Sequence, residues 1–154
     1  MTVIIEGDQK IANEVLAQIE IWDQIVLGQK KVDLNQYCAS DVILFDVSTQ
    51  HNSVKEYKAA WDQFKPFMME GMQISRRDIT ICASDGLAVI HCHSKVENPA
   101  LEEQLQIPWC RTTLCMQKRN GQWYVVHQHI SMPVDLTTGK AIVLKDHPKL
   151  QFVV

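Results

Sequence analysis

The period of the apolar positions changes along the chain. Between Asp8 and Gly28, the residues Ile11, Val15, Ile19, Trp22 and Val26 recur at spacings of three and four. That spacing predicts a helix with one apolar stripe, and Gly28 supplies a stop. Asp33, with Gln36 three positions on, predicts a short second helix that carries Leu34, Tyr37 and Cys38 and ends near Ser40-Asp41. Val42 to Val47 is the first strand candidate, apolar enough for both of its faces to be covered. The polar stretch TQHNS follows, with room for a short strand. Ser53 and Glu56 then form a capping box ahead of a third helix, whose face carries Val54, Tyr57, Trp61 and Phe64. Pro66 lacks the amide hydrogen of a helix interior and predicts a break or kink.

From Gly71 onward the period becomes two. Long strands are predicted over 72–84, 87–97, 109–119 and 122–134. Asp85-Gly86 and Asn120-Gly121 lie between the members of each pair and suit the positive φ angles of tight hairpins. The linker ENPALEEQLQIP reads as a loop or a short helical turn, and Ala141 to Leu144 is one more strand-like run. This order predicts an α+β fold, with about three N-terminal helices on one face of a strongly curved, mostly antiparallel sheet. A hollow at the open end of such a sheet is a natural ligand site.

The length of 154 residues fits one domain, 1–154, with 135–154 as a C-terminal extension. Apolar residues make up 46%, enough for a core without staples. The net charge of -3 and the absence of any basic block longer than a pair argue against a nucleic-acid partner. No run approaches the roughly 18 apolar residues of a membrane span. The N-terminal MTVIIEGDQK lacks the basic region and long apolar stretch of a signal peptide. Five cysteines at irregular spacing read as reduced, mostly buried thiols, and the expected location is cytoplasmic.

Parity within the strands selects the candidate chemistry. In the last long strand Trp123, Val125, His127, His129 and Ser131 share one face. His91 and His93 share a face of the second, and Trp109, Arg111, Thr113 and Cys115 a face of the third. If these faces are concave, His91, His93, Arg111, His127 and His129 converge on one hollow; if convex, they are surface groups. The two HxH pairs also invite a metal reading. However, alternate strand residues stand about 7 Å apart and no further ligand motif accompanies them, so no metal is assigned. Asp46 ends the apolar run VILF, where burial would favour use as a general base; the competing role is to order the following turn. Arg111 needs an anion or acceptors, supplied internally or by a ligand carboxylate. Trp22 and Trp61 read as core residues that could also wall a pocket.

The segment GQWYVVHQHISMPVD, Gly121 to Asp135, resembles the closing strand of SnoaL-like domains in the NTF2-like superfamily. It is most similar to a branch in which a tryptophan is followed by HxHxS and a proline. Arg111 in the preceding strand fits that branch, and Trp22 and Trp61 fall where such proteins pack aromatics. The resemblance covers the chain to about Asp135. It implies an NTF2-like cone with a deep pocket and a homodimer formed through the sheet. Functions on this fold include ketosteroid-isomerase-like proton transfer, polyketide cyclisation, dehydration and assembly of other proteins. Set against ketosteroid isomerase, Asp46 falls at the base, Thr113 near the oxyanion-hole acid, and Ile21 or Trp22 near the first-helix tyrosine. Two of these three positions differ from that enzyme, and Thr113 cannot donate as a protonated carboxyl, so the resemblance implies no steroid isomerisation but a generic proton abstraction by Asp46, with His129 or Arg111 stabilising an oxyanion; no cofactor is expected. Trp22, Trp61, His91, His93, Thr113 and His127 would line the site around an apolar or carboxylate-bearing small molecule. The alternatives are a non-catalytic binding or assembly module using the sheet face, and a metal-assisted enzyme using the HxH pairs.

Overall fold

The computed structural model describes residues 2–67, 70–101 and 108–144. Among these residues, seven strands form one sheet: β1 (Val3–Gly7), β2 (Cys38–Phe45), β3 (Gln50–His51), β4 (Gln73–Ser84), β5 (Leu87–Glu97), β6 (Cys110–Arg119) and β7 (Gln122–Ser131). Two α-helices, α1 (Gln9–Val26) and α2 (Val54–Phe64), cover one face of it. The strand order is β1-β4-β5-β6-β7-β2-β3. β1 runs parallel to β4 and β2 parallel to β7, while the other neighbours are antiparallel.

Both helices begin where the capping residues place them. The Asp8 carboxylate accepts the Ile11 N–H at 2.9 Å, and the stripe Ala12, Val15, Ile19, Trp22 and Val26 is buried. The Ser53 hydroxyl accepts the Glu56 N–H at 3.2 Å, while the Glu56 carboxylate accepts the Asn52 N–H at 2.7 Å. α2 stops at Phe64, and Pro66 sits in the 3-10 turn Lys65–Phe67 that follows. Each buried aliphatic of α1 contributes roughly 1.5–3 kcal/mol by leaving water.

Two features of the expected architecture are corrected. There are two α-helices among the described residues, not three. Asp33 does cap, accepting the Asn35 N–H at 3.0 Å, but it starts only the 3-10 turn Leu34–Gln36. The chain then joins β7, with the Tyr37 carbonyl accepting the Val125 N–H at 2.9 Å, and Cys38 opens β2 instead of closing a helix. Burial of Cys38, Ala39, Val42 and Leu44 outweighs one capped turn. The sheet is also open, with β1 and β3 as unjoined edges, and is not the strongly curved cone expected. The edge strand β1 arises from the N-terminal VIIEG, where no element was predicted.

Asp85-Gly86 and Asn120-Gly121 turn the two long hairpins, with Asn120 at φ 52 and Gly121 at φ 80. The tail strand reduces to isolated bridges, Val134 to Ala141 and Trp109 to Leu144. In the linker, Pro99–Leu101 makes a 3-10 turn, and residues 102–107 lie outside the described residues.

Three irregularities interrupt the period of two. On β7, Cys115 pairs with His127 but Met116 pairs with Val125, so Val126 is an extra residue. On β4, Arg77 pairs with His93 and Thr80 with His91, leaving Asp78 and Ile79 against one residue, with Asp78 at φ 53. On β2, the register shifts between Cys38 and Ile43. The bulges on β4 and β7 carry the side chains beyond them to the other face, whereas on β2 Cys38, Val42 and Leu44 all stay in the core.

Gly7 has φ 93, and a Cβ there would collide with the backbone carbonyl oxygen of Ala83 on β4. Gly7→Ala should therefore lose about 2 kcal/mol or more in urea unfolding, by both strain and the forced separation of β1 from β4.

Candidate ligand cavity

The bulges on β4 and β7 define a cavity of about 380 Å³ between α2, the C-terminal end of α1 and the sheet. Beyond Val126, the side chains that continue the helix-facing surface of β7 are Gln128 and Ile130, not His127 and His129. Before the β4 bulge, Ile74 and Arg76 hold the equivalent positions; beyond it the buried side chains are Ile79, Ile81 and Ala83. β5 contributes Ser94, β6 contributes Cys110 and Thr112, and the residues just after β2 contribute Asp46 and Val47.

Aromatic side chains make the helical wall. Tyr57 stacks on Trp22 with centroids 5.6 Å apart and planes 9° apart. Trp61 stands at 81° to Tyr57, and Phe64 packs against Trp61 at 66°. These residues recur on α2 at spacings of three and four, which puts them on the face turned to the sheet. Trp22 is buried, Trp61 half-buried, and Phe64, at 58% exposure, stands at the solvent end.

The polar groups are few and mostly satisfied. Arg76 donates from Nε and Nη2 to the two carboxylate oxygens of Asp23 at 2.8 and 2.6 Å, and its Nη1 lies 3.6 Å from Cys92 Sγ. Burial works against the guanidinium charge, but the Asp23 fork outweighs it and holds Arg76 above its ordinary value. The hydroxyls of Ser94 and Thr112 lie 2.6 Å apart. Burial pushes the Tyr57 hydroxyl above the usual phenol range against the opposing pull of Trp61 and Gln128, and the nearby Asp46 carboxylate adds to the rise. Tyr57 is thus a hydrogen-bond donor at any physiological pH. The Cys110 thiol is raised by burial and then by Asp46, so it is held as a thiol. Asp46 Oδ1 accepts the Val47 N–H at 2.7 Å and so orders the following turn, while the residue also lines the cavity.

The expected convergence does not occur. Asp46, Trp22 and Trp61 line the cavity, but Arg111, His91, His93 and Thr113 line an open groove on the opposite face of the sheet. His93 Nδ1 lies 3.1 Å from Asp78 Oδ2. His127 donates from Nδ1 to the Ile43 carbonyl at 2.6 Å, since a carbonyl oxygen can only accept. Phe45 packs edge-on against both His127 and His129, with centroids at 4.9 and 5.5 Å. His129 and Arg111 therefore do not line the cavity that Asp46 lines. Among the described residues, no three His, Cys, Asp or Glu side chains gather as a metal site requires.

Residues absent from the sequence-based set are Tyr57, Arg76, Ser94, Thr112 and Gln128. A signal for them existed. In 74–83 the apolar parity passes from Ile74 to Ile79, Ile81 and Ala83, and in 123–130 from Trp123 and Val125 to Ile130. A mid-strand change of apolar parity marks a bulge.

A family model described as a SnoaL-like domain matches residues 20–135. The chain is similar to an NTF2-like protein of unknown function from Pseudomonas putida KT2440, with 27% identity and a TM-score of 0.72 over 88% of this chain and 96% of that one. An NTF2-like protein with a cystatin-like fold from Novosphingobium aromaticivorans gives 13% identity and a TM-score of 0.68, covering 84% of this chain and 86% of that one. A putative ketosteroid isomerase from Shewanella frigidimarina gives 19% identity and a TM-score of 0.61, covering 83% of this chain and 99% of that one. No curated protein matches. Among the described residues, no helix is long and apolar enough to cross a membrane.

The Arg76–Asp23 pair is a structural element of the cavity wall, with side-chain exposures of 10% and 14%. Asp23→Asn should cost about 3 kcal/mol in urea unfolding because it strands a buried guanidinium. Asp23→Leu combined with Arg76→Met should recover most of that loss.

Proposed function

The chain belongs to the family of SnoaL-like domains, with an NTF2-like α+β fold, and on that premise we propose that it binds a small, mostly apolar molecule between α2 and the sheet and exchanges a proton with it. The observation that carries this reading is the cavity itself: aromatic and aliphatic walls around a few polar groups of defined role. Trp22, Trp61, Phe64, Ile74 and Ile130 provide the apolar contact. Asp46 is the proton acceptor. Tyr57 replaces His129 and Arg111 as the donor to a developing oxyanion, because it lines the same cavity and keeps its proton. Gln128 and the Ser94–Thr112 hydroxyl pair orient the ligand.

The balance of the step is simple. The Asp46 carboxylate takes a proton from a carbon next to a carbonyl, the carbon–hydrogen electron pair moves to form an enolate, and the oxygen accepts a hydrogen bond from Tyr57. Return of the proton to the same or a neighbouring carbon restores the base. Deuterium uptake by a panel of small cyclic ketones in D2O, followed by NMR, tests it. The wild type should accelerate uptake for at least one ketone, and Asp46→Asn should lower that rate about 100-fold or more. Absence of uptake across the panel would remove the catalytic part of the proposal.

The outer sheet face supports a second role, pairing with another copy of this chain. Ile43 and Phe45 are 42% and 37% exposed there, beside His127 and His129. Sedimentation should give a dimer for the wild type and a monomer for Phe45→Glu; a monomeric wild type would exclude it.

A further inference from the structure

Resting on the binding part of the cavity reading above and not on its proton-transfer step, we propose that the cavity takes a small apolar amine in its ammonium form, with Asp46 as its counter-ion, and discriminates against carboxylates. The charges of the cavity decide this. Among the described residues, three charged ones line it: Asp46, Arg76 and Lys95. The Arg76 charge is met by the two-oxygen fork of Asp23 at 2.8 and 2.6 Å. The Lys95 ammonium lies 2.6 Å from Glu97 Oε2. Asp46 has no cation partner among the described residues, and its contact is the Val47 backbone N–H at 2.7 Å. Among the described residues, the charge left for a ligand to neutralise is therefore the Asp46 carboxylate. No histidine of the described residues lines the cavity to offset it.

The apolar wall has the complementary chemistry. Tyr57 and Trp22 stack, Trp61 stands nearly perpendicular to Tyr57, and Phe64 continues the row toward solvent. Aromatic ring faces attract cations, and the attraction grows when water is excluded. A carboxylate together with angled aromatic rings is the recognition chemistry of an ammonium group. A carboxylate ligand would be repelled by Asp46 and would find the Arg76 charge already neutralised. The neutral donors Tyr57, Gln128, Ser94 and Thr112 do not distinguish the two classes.

Three probes with one body separate charge from shape: 2-naphthylmethylamine, 2-naphthylmethanol and 2-naphthoic acid. Their dissociation constants are read by calorimetry at pH 7 and 0.15 M salt. The amine should bind at least tenfold more tightly than the alcohol, and the acid more weakly than either. In Asp46→Asn, which keeps an Oδ1 acceptor for Val47, the amine-to-alcohol ratio should fall to near one, and Asp46→Glu should restore most of it. The proposal is overturned if the acid binds as tightly as the amine, or if the amine preference survives Asp46→Asn. Binding of the alcohol without any amine preference would leave the cavity reading standing and the charge inference refuted. Failure of all three probes to bind would refute both.

Discussion

A strand cannot turn its side chains one at a time. Alternation binds every residue on it to one of two faces, and only an inserted residue changes the assignment. In this protein that constraint sets the site. Val126 on β7 and the Asp78-Ile79 step on β4 each shift the phase. The first puts Gln128 and Ile130 on the helix-facing side and sends His127 and His129 to the other. Arg76 faces inward before the β4 bulge, while Ile79 and Ile81 take over the core beyond it.

The two faces consequently have different chemistry. The inner one ends in a cavity whose guanidinium is already paired with Asp23 and whose phenol is held protonated by burial. Asp46 is the remaining ionisable group on the wall without a counter-charge among the described residues. The outer face gathers His91, His93, Arg111 and Thr113 along a groove, with Phe45 between His127 and His129. Side chains that look like a convergent acid–base set in the linear pattern are thus divided by the thickness of the sheet.

The helical wall works with this division. α1 and α2 are each fixed at their first turn by a side chain that caps the N-terminal amides, Asp8 and Ser53. Once begun, the spacing of Trp22 on α1 and of Tyr57, Trp61 and Phe64 on α2 turns the rings toward the sheet. The break at Pro66 leaves Phe64 at the end of α2, on the cavity's solvent side. Ring stacking between Trp22 and Tyr57 joins the two helices across that wall.

Local chemistry determined what the sequence could determine alone. Asp8 and Ser53 mark helix starts, Gly86 and Asn120-Gly121 mark hairpin turns, and the period of two from Gly71 marks the long strands, because each depends on neighbours within a few residues. Asp46 and the aromatic stripe of α2 were readable for the same reason. The tertiary structure decided whether residues 33–40 became a helix or a strand, where β1 paired, and which face of each strand met the helices. Cys38 chose β7 over a second helical turn because a long-range ladder and burial exceed the stability of one isolated turn. His127 and His129 left the inner face because Val126 has no partner on β6, a fact of register between two strands that neither strand's own alternation contains.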